Sequence, residues 1–399
     1  MSLFATTKII AVLSLGVFLL ACDRADQPTR PSGGTGTSRS SETGATKTSS
    51  EGGYAGSEQS MPIPQVIKDI GQGTMTYAYD HRKNLFVADV QNATDQNQKI
   101  PAHQKNNRIL RIASYNVHFW TDPTATKNSI RPILDTIRAI NADVLSLQEV
   151  NWVRNVSGTN SLSSVVTNMS IGDLQAEFAQ MGYLTNDAAF FQAAEHRGSP
   201  FGNLILSKYP AVTDGAGRRA YSTGLVHGET RGLARLTILL PNGMRLLIVS
   251  THLEVENLPN GTLASAARKI QLAEIVTYLN DPMRASEKNV VVAGDMNQIR
   301  PLEMSYLVNN QKASVLFALK QRDPVVWDVL YTITTPGFVD SFTKKGWQTP
   351  KFTTWNGSTI DYIFVKNSFE MKVVGAYTYF SAASDHVPLI MDVEMSADK

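Results

Sequence analysis

Four apolar runs of the sequence each end in a polar side chain that is capable of chemistry. These side chains are an amide, a carboxylate, an imidazole and a second carboxylate: Asn116, Glu149, His252 and Asp295. Strands hold such groups rigidly, while the loops that follow admit water and substrate. A carboxylate at the end of a buried strand faces water or needs a cation, and Mg²⁺ prefers oxygen ligands. Either the Glu149 carboxylate faces solvent at the sheet edge or a cation compensates it, and Mg²⁺ is a natural candidate for that cation.

Further polar groups follow in the second half of the chain. Asn297 comes two residues after Asp295, Asp361 stands within an apolar run, and Asp385 precedes His386. Any one of these residues is also typical of a strand that is leaving its sheet for water. The occurrence of several such polar strand ends along one chain, rather than any single one of them, indicates a shared site.

The elements that must position these groups follow an α/β pattern. Short apolar runs rich in Val, Ile and Leu predict eight strands, at residues 109–116, 144–149, 203–207, 233–240, 246–252, 290–295, 359–365 and 387–394. Apolar residues at helical spacing predict helices near 130–140 and 266–280. The Asn-Gly pair at 242–243 suits a hairpin, so we expect sheets that contain antiparallel pairs rather than a doubly wound parallel sheet.

The N-terminal segment resembles the signal of a bacterial lipoprotein. Lys8 precedes an apolar stretch that is too short to span a bilayer comfortably, and Leu-Leu-Ala-Cys ends at Cys22, the predicted lipidation site. An ordinary signal peptide or a short membrane helix stays an alternative. We expect a signal peptide at 1–21, a Ser/Thr/Gly-rich tether at 22–60, an extension packed on the main domain at 61–107, and the main domain at 108–397.

The net charge and the cysteine content exclude few classes of function. The formal net charge is +2 without a block of consecutive Lys or Arg, which does not by itself favour a nucleic-acid binder. A single cysteine excludes an internal disulfide.

Seven motifs in order resemble the endonuclease/exonuclease/phosphatase superfamily. They are Ser-Tyr-Asn-Val (114–117), Leu-Gln-Glu-Val (147–150), Gly-Asn-Leu-Ile-Leu-Ser-Lys-Tyr-Pro (202–210), Ser-Thr-His-Leu (250–253), Ala-Gly-Asp-Met-Asn (293–297), Ile-Asp-Tyr-Ile (360–363) and Ser-Asp-His-Val-Pro (384–388). The resemblance spans about residues 108–393. It implies an α/β fold, a four-layer sandwich of two mixed β-sheets flanked by helices.

The resemblance also implies roles for the polar residues. Glu149 would be the main ligand of Mg²⁺, with Mn²⁺ as a substitute, and Asn116 and Asp385 would help to hold the ion. Asp295 and Asn297 would position or deprotonate the attacking water. Asp361 would orient His386 as an acid/base or phosphate-binding pair. Which group takes the proton is left open.

His252 places the chain on the histidine branch of the superfamily, with deoxyribonuclease I, sphingomyelinases and inositol phosphatases. His118 stands where many apurinic endonucleases carry an acidic residue, so a second metal ligand at that position is in doubt. Both differences argue against repair of abasic sites. Asn116, Asn203 and Arg231 are candidate substrate contacts. Asn203 and Arg231 lie in segments that resemble superfamily stretches around the cleft, although an arginine at a strand start is often a solvated surface group.

Three tryptophans flank the predicted site loops: Trp120, Trp152 and Trp355. Burial in the core is the favoured interpretation, and stacking on a base or insertion into lipid is the alternative.

The expected function is hydrolysis of phosphate esters by a lipid-anchored envelope enzyme whose catalytic domain lies outside the cytoplasm. A nuclease is the leading expectation, and a lipid or inositol phosphate phosphodiesterase is the alternative, so the partners are nucleic acid or phospholipid and a bacterial membrane. A binding lipoprotein that has lost catalysis is a further alternative. We expect a monomer.

Overall fold

Two six-stranded sheets pack face to face and carry helices on their outer surfaces. The structure is a computed structural model that describes residues 97–103, 108–122, 128–152, 169–196, 199–213, 220–224, 231–255, 263–281, 287–298, 329–345, 353–354, 359–368 and 370–396. The N-terminal signal with Cys22, the predicted tether and Trp355 lie outside the described residues. Within the described part, no helix has the length and apolar character needed to cross a membrane.

The first sheet contains the strands that carry Asn116 and Glu149. Its members are β1 (Ile109–Asn116), β2 (Val144–Asn151), β3 (Ala189–His196), β4 (Ser199–Ser207), β11 (Met371–Thr378) and β12 (Leu389–Met395). They lie in the order β11-β12-β1-β2-β4-β3. The sheet is mixed, because β1 runs parallel to β2 and antiparallel to β12.

The second sheet contains the strands that carry His252, Asp295 and Asp361. Its members are β5 (Ala220–Gly224), β6 (Gly232–Leu239), β7 (Arg245–His252), β8 (Val290–Asp295), β9 (Phe338–Asp340) and β10 (Asp361–Lys366). They lie in the order β5-β6-β7-β8-β10-β9, and only β7 and β8 pair in parallel. The predicted hairpin is confirmed: β6 and β7 are joined at 240–244, where Gly243 has φ +82° and the Asn242 side chain accepts a hydrogen bond from the Met244 N–H.

Five α-helices occur among the described residues: α1 (Ile130–Ile140), α2 (Ile171–Gln180), α3 (Ala264–Asn280), α4 (Tyr331–Thr334) and α5 (Ser341–Lys344). Ile137 of α1 and Phe178 of α2 are buried against the first sheet. Leu272 and Ile275 of α3 are buried against the second sheet. A third apolar cluster lies between the two sheets. The predicted four-layer sandwich is confirmed.

All eight predicted strands and both predicted helices are present, with ends that differ by a few residues. Four strands, β3, β5, β9 and β11, and three helices, α2, α4 and α5, were not predicted from the sequence. Two of the missed helices are single turns. α2 does carry a signal, because Ser170 accepts from the Asp173 N–H while the Asp173 carboxylate accepts from the Ser170 N–H.

Residues 97–103 attach to the first sheet near both of its ends. The Asn97 amide donates to the Phe380 carbonyl oxygen at 2.9 Å and accepts from the Phe380 N–H at 2.8 Å. His103 Nε2 lies 2.6 Å from an oxygen of Asp143, the residue before β2. The 61–107 extension thus contacts the main domain in its described part, and its boundaries remain predictions.

A buried ion pair joins β1 to β12 beneath this segment. Arg111 donates from Nε and from Nη2 to the two oxygens of Asp392, each at 2.8 Å. Its Nη2 also donates to the Pro101 carbonyl oxygen at 2.8 Å. The same guanidinium therefore links two strands and the preceding segment.

Candidate active site

The space between the sheets changes from apolar to polar at one end. Ile112, Ile248 and Val291 lie in the central core, and by the alternation of strand faces Asn116, His252 and Asp295 follow on the same inner faces. Just below them, Ser146 Oγ donates to Ser250 Oγ at 2.8 Å, and Gln148 Nε2 donates to Ser250 Oγ at 3.2 Å. These hydrogen bonds connect β2 to β7 under the site.

Glu149 reaches this cleft because β2 is irregular at its end. Alternation predicts that Glu149 continues the face of Leu145 and Leu147, and those two residues pack under the helices. This expectation is wrong. The β2–β4 register shifts between Leu147 and Val150, and Glu149 has φ +56°, so the bulge turns its carboxylate toward the facing sheet.

Asn116 joins carboxylates from both sheets. Its Nδ2 donates to Glu149 Oε1 at 2.9 Å and to Asp295 Oδ2 at 3.2 Å, and its Oδ1 accepts from the His118 N–H at 3.0 Å. The amide nitrogen, rather than the oxygen, therefore faces the carboxylates. Glu149 and Asp295 lie close enough together to share one donor, and ligation of a metal by the Asn116 oxygen stays a prediction.

Asp295 lies at the centre of the site because three strand ends meet there. It is the register partner of His252 on β7 and of Asp361 on β10. Its Oδ2 lies 3.5 Å from His252 Nε2 and 3.6 Å from His386 Nε2. Asn297 caps the strand end, since its N–H donates to Asp295 Oδ1 at 2.8 Å and its side chain donates to the Leu253 carbonyl oxygen.

Gly294 permits this close approach of β8 to β7. Its φ is +152°, and a Cβ at this position would lie 1.9 Å from the Thr251 carbonyl oxygen. Only glycine fits there without displacing the backbone. The Gly-Asp motif is therefore explained by packing as well as by chemistry.

Asp361 and His386 form a direct pair. His386 Nδ1 donates to Asp361 Oδ2 at 2.9 Å, so Nε2 is turned toward Asp295. Thr353 Oγ1 accepts from the Asp361 N–H at 3.2 Å, and the Thr353 carbonyl oxygen accepts from the Val387 N–H at 2.8 Å. Thr353, which lies outside all the recognised motifs, thus holds the backbone at Asp361 and at the residue that follows His386.

Asp385 and His118 lie at the opposite side of the cluster. His118 Nδ1 is 3.7 Å from Asp385 Oδ1, and Asp385 Oδ1 is 4.0 Å from His386 Nε2. The His118 turn is strained, because His118, Phe119 and Trp120 all have positive φ, between 44° and 64°. Ser384 Oγ donates to the Asn116 carbonyl oxygen at 2.8 Å and ties the Asp385 loop to β1.

The electrostatics of the cluster favour a bound cation. Burial raises the pKa of Glu149 above its usual range, although His118 opposes this shift. Burial, followed by the neighbouring Asp361 carboxylate, raises the pKa of Asp295 to about 7. Burial lowers the pKa of His386, but Asp361, Asp385 and Asp295 outweigh it and raise that pKa well above its ordinary value. For His252, burial and then the Arg231 cation lower the pKa well below the ordinary value.

The carboxylates fit a hard divalent cation by their chemistry. Ligand atoms of Asp295, Asp361 and His386 lie within 4.8 Å of one another, and all three residues are buried. Asp361 Oδ1 is buried and makes no hydrogen bond among the described residues. Glu149 adds a further buried carboxylate that shares a donor with Asp295. Oxygen-rich sites of this kind suit Mg²⁺ or Mn²⁺.

Two of the candidate substrate contacts, Arg231 and Asn203, have different surroundings. Arg231 is only 5% exposed, so it is not a solvated surface group, and its Nη1 lies 3.3 Å from His252 Nδ1. Asn203 is buried and donates to the carbonyl oxygen of Gly232, the register partner of His252. Asn203 therefore supports the strand end, whereas Arg231 lies against the catalytic candidates.

Trp120 and Trp152 are buried, and each packs against Phe178 of α2. The expectation of core burial is confirmed for both residues. Three groups at the site were not predicted from the sequence: Thr353, Ser384 and Glu254, whose Oε1 lies 3.7 Å from Arg231 Nη2. Only Ser384 lay within a recognised motif, and the others become visible only once distant segments meet.

The fold and this constellation are those of a phosphoric ester hydrolase built on two packed sheets. Residues 113–386 match the Endonuclease/Exonuclease/phosphatase family, and the chain belongs to that family of phosphoric ester hydrolases. No curated protein matches the sequence.

Solved structures show the same fold. One is the endonuclease/exonuclease/phosphatase from Beutenbergia cavernae DSM 12333, with 21% identity, coverage of 73% of this chain and 72% of that chain, and a TM-score of 0.50. Another is the human Nocturnin catalytic domain with bound sulfate anion, with 18% identity, coverage of 72% and 95%, and a TM-score of 0.51.

Proposed function

We propose that the chain is a divalent-metal-dependent phosphodiesterase that acts outside the cytoplasm, with nucleic acid as its substrate. The observation that carries the proposal is the convergence of Glu149, Asp295, Asp361 and His386 in one buried cluster, although they come from β2, β8, β10 and the loop before β12. Packing alone does not favour so many ionisable groups in one buried place.

Glu149 and Asp385 would hold Mg²⁺ or Mn²⁺, with Asn116 beside them. When bound, the ion would neutralise charge on the phosphoryl oxygens and polarise the phosphorus–oxygen bond. The fit rests on the donor set: Glu149 is buried and shares the Asn116 Nδ2 donor with Asp295, so a cation would offset two carboxylates that lie close together.

The remaining groups divide into water-side and phosphate-side roles. Asp295 and Asn297 lie together on one strand end and would orient the attacking water. Asp361 holds His386 so that Nε2 can move or hold a proton at the reacting phosphate. Arg231 and His252 lie side by side and would contact a phosphate oxygen or the departing oxygen.

The proposed location of the catalytic domain outside the cytoplasm rests on the sequence alone. Cys22 ends a lipobox-like motif, so the mature chain would carry lipid at this residue and hold its catalytic domain outside the cytoplasm. Such an anchor is compatible with a nucleic acid in the surroundings and with a phospholipid in the same membrane. Only the substrate assay separates these two classes.

The activity test uses a bis-aryl phosphate with the full-length chain in detergent. We expect hydrolysis with Mg²⁺ or Mn²⁺, none with chelator, and a loss of about 10²–10³-fold in kcat for Glu149→Gln, the scale of a lost electrostatic contact to the transition state. Glu394→Gln, on β12 and paired with Lys372, is the matched control and should behave as wild type. Activity that persists in chelator and in Glu149→Gln would refute the metal-dependent mechanism.

The substrate test compares plasmid DNA, RNA, sphingomyelin vesicles and phosphoinositide vesicles under the same conditions. Cleavage of DNA or RNA at a rate that exceeds that of the lipids supports the nuclease proposal. Selective hydrolysis of a lipid would replace it with the lipid phosphodiesterase alternative. No turnover of any substrate, with intact metal binding by calorimetry, would favour the binding lipoprotein.

A further inference from the structure

A fully buried carboxylate lies directly behind the phosphate-side residues. Glu254 comes two residues after His252, and its side chain is 0% exposed. Its Oε1 lies 3.7 Å from Arg231 Nη2 and accepts a hydrogen bond from the Val255 N–H at 2.9 Å. A buried charge of this kind is stable only when cations and donors compensate it.

The backbone of Glu254 is attached to helix α3. Its N–H donates to Gln271 Oε1 at 3.0 Å, and its carbonyl oxygen accepts from Arg268 Nη1 at 3.0 Å. Arg268 Nε also donates to Gln298 Oε1 at 3.2 Å, next to Asn297. The loop after β7 and the loop after β8 are therefore held by the same helical turn.

Arg231 connects this network to the site. One guanidinium nitrogen, Nη2, faces Glu254, while the other, Nη1, lies 3.3 Å from His252 Nδ1. A planar guanidinium with one edge fixed presents its remaining donors in a defined direction, which suits recognition of a phosphate oxygen.

We infer that Glu254 is a positioning residue that fixes Arg231 beside His252, so that the two side chains form an oxyanion subsite for a substrate phosphate. The inference rests on the proposed function, and it goes further by assigning the geometry of the subsite to a carboxylate that does not itself touch substrate. Helix α3 carries the residues that hold the backbone of Glu254 in place.

The experiment measures inhibition by inorganic phosphate in a double-mutant cycle. The full-length chain in detergent is compared with Glu254→Gln, Arg231→Gln and the double variant, with a bis-aryl phosphate as substrate. We expect Glu254→Gln to raise Ki for phosphate and KM roughly tenfold, the scale of one charge-assisted hydrogen bond, with kcat changed much less. Arg231→Gln should raise Ki at least as much, and adding Glu254→Gln to it should raise Ki no further.

Asp392→Asn is the matched control, because it also breaks a buried carboxylate–arginine pair but lies on β12 near residues 101–111. It should lower the free energy of unfolding and leave Ki for phosphate unchanged. If Glu254→Gln does not fold, Glu254→Asp keeps the charge but draws the carboxylate away from Arg231, and it should raise Ki in the same direction.

Three outcomes would overturn the inference. The first is a Glu254 variant that loses stability while its Ki for phosphate is unchanged. The second is an additive effect of the Glu254 and Arg231 substitutions on Ki. The third is a wild-type protein that binds no phosphate by calorimetry. Failure of the proposed function is distinct, because it appears as an absence of metal-dependent turnover. Calorimetric binding of phosphate still tests the Arg231–Glu254 subsite in that case.

Discussion

Single side chains in this site take their function from the partner that orients them. His386 presents Nε2 to Asp295 only because Nδ1 is held by Asp361, whose backbone is held in turn by Thr353. Loss of the Asp361 carboxylate would free the imidazole to rotate and would change its protonation.

Asp361→Asn is expected to lower kcat roughly a hundredfold or more, the scale of general acid–base catalysis. Burial lowers the pKa of His386, and Asp361 is the largest influence that raises it. Without Asp361 the imidazolium should lose its proton at a lower pH, so activity that needs the protonated form should fall at a lower pH than in the wild type.

The pH–rate profile of the Asp361 variant makes this measurement. Asp340→Asn, a carboxylate at the end of the neighbouring strand β9, serves as the control and should keep the wild-type profile. An unchanged alkaline limb in Asp361→Asn would show that protonated His386 is not required.

At the scale of strands, the site depends on departures from regular geometry. The bulge in β2 turns Glu149 inward, and Gly294 lets β8 approach β7 within the space of a missing side chain. The bulge contains Glu149 itself, and Gly294 directly precedes Asp295.

Gly294→Ala should therefore destabilise the protein by about 2–4 kcal/mol, because the new Cβ would overlap the Thr251 carbonyl oxygen. Gly243→Ala is the matched control: its φ is also positive, +82°, but no atom lies within 4 Å of the added Cβ. It should cost only about 1 kcal/mol of left-handed backbone strain. Equal losses in urea unfolding would show that strain, rather than overlap, explains Gly294.

The sequence predicted the strands that carry the site and predicted poorly the elements that surround them. Strands β1 and β8 are short, almost fully buried runs, apolar over most of their length, that end in Asn116 and Asp295, and their bounds match the predicted ones to the residue. β11 was missed because Gly375 and a register shift interrupt its pattern, and β3 contains few β-branched residues. The direction of Glu149 could not be predicted, since a bulge is decided by the paired strand rather than by local sequence.

The same limit applies to Glu254 and Thr353. The motifs named the residues at the strand ends, but the second layer of contacts comes from α3 and from a short segment near residue 353. Such contacts depend on tertiary packing and leave no periodic signal in the sequence.

At the scale of the whole molecule, buried ionic contacts join parts of the chain that are far apart in sequence. The Arg111–Asp392 pair connects the first strand of the domain to the last. Breaking one partner of such a pair leaves an uncompensated buried charge.

Asp392→Asn should lower the free energy of unfolding by about 3–5 kcal/mol. Asp135→Asn, which removes the exposed partner of Arg138, should cost at most about 0.5 kcal/mol. Chemical denaturation of the two variants checks the contrast. Similar losses from both would mean that the buried pair is not a major source of stability.

The attachment of Asn97 to Phe380 lies at the end of the first sheet that carries the catalytic candidates. Among the described residues, a pull on the chain from upstream is first met by the two hydrogen bonds between Asn97 and the Phe380 backbone. Phe380 begins the loop that reaches Asp385 and His386, whereas His103 and Asp143 lie further along the chain at the far end of the sheet. If the proposed lipid anchor at Cys22 tethers the chain, tension would therefore load the catalytic end of the described domain before the opposite end.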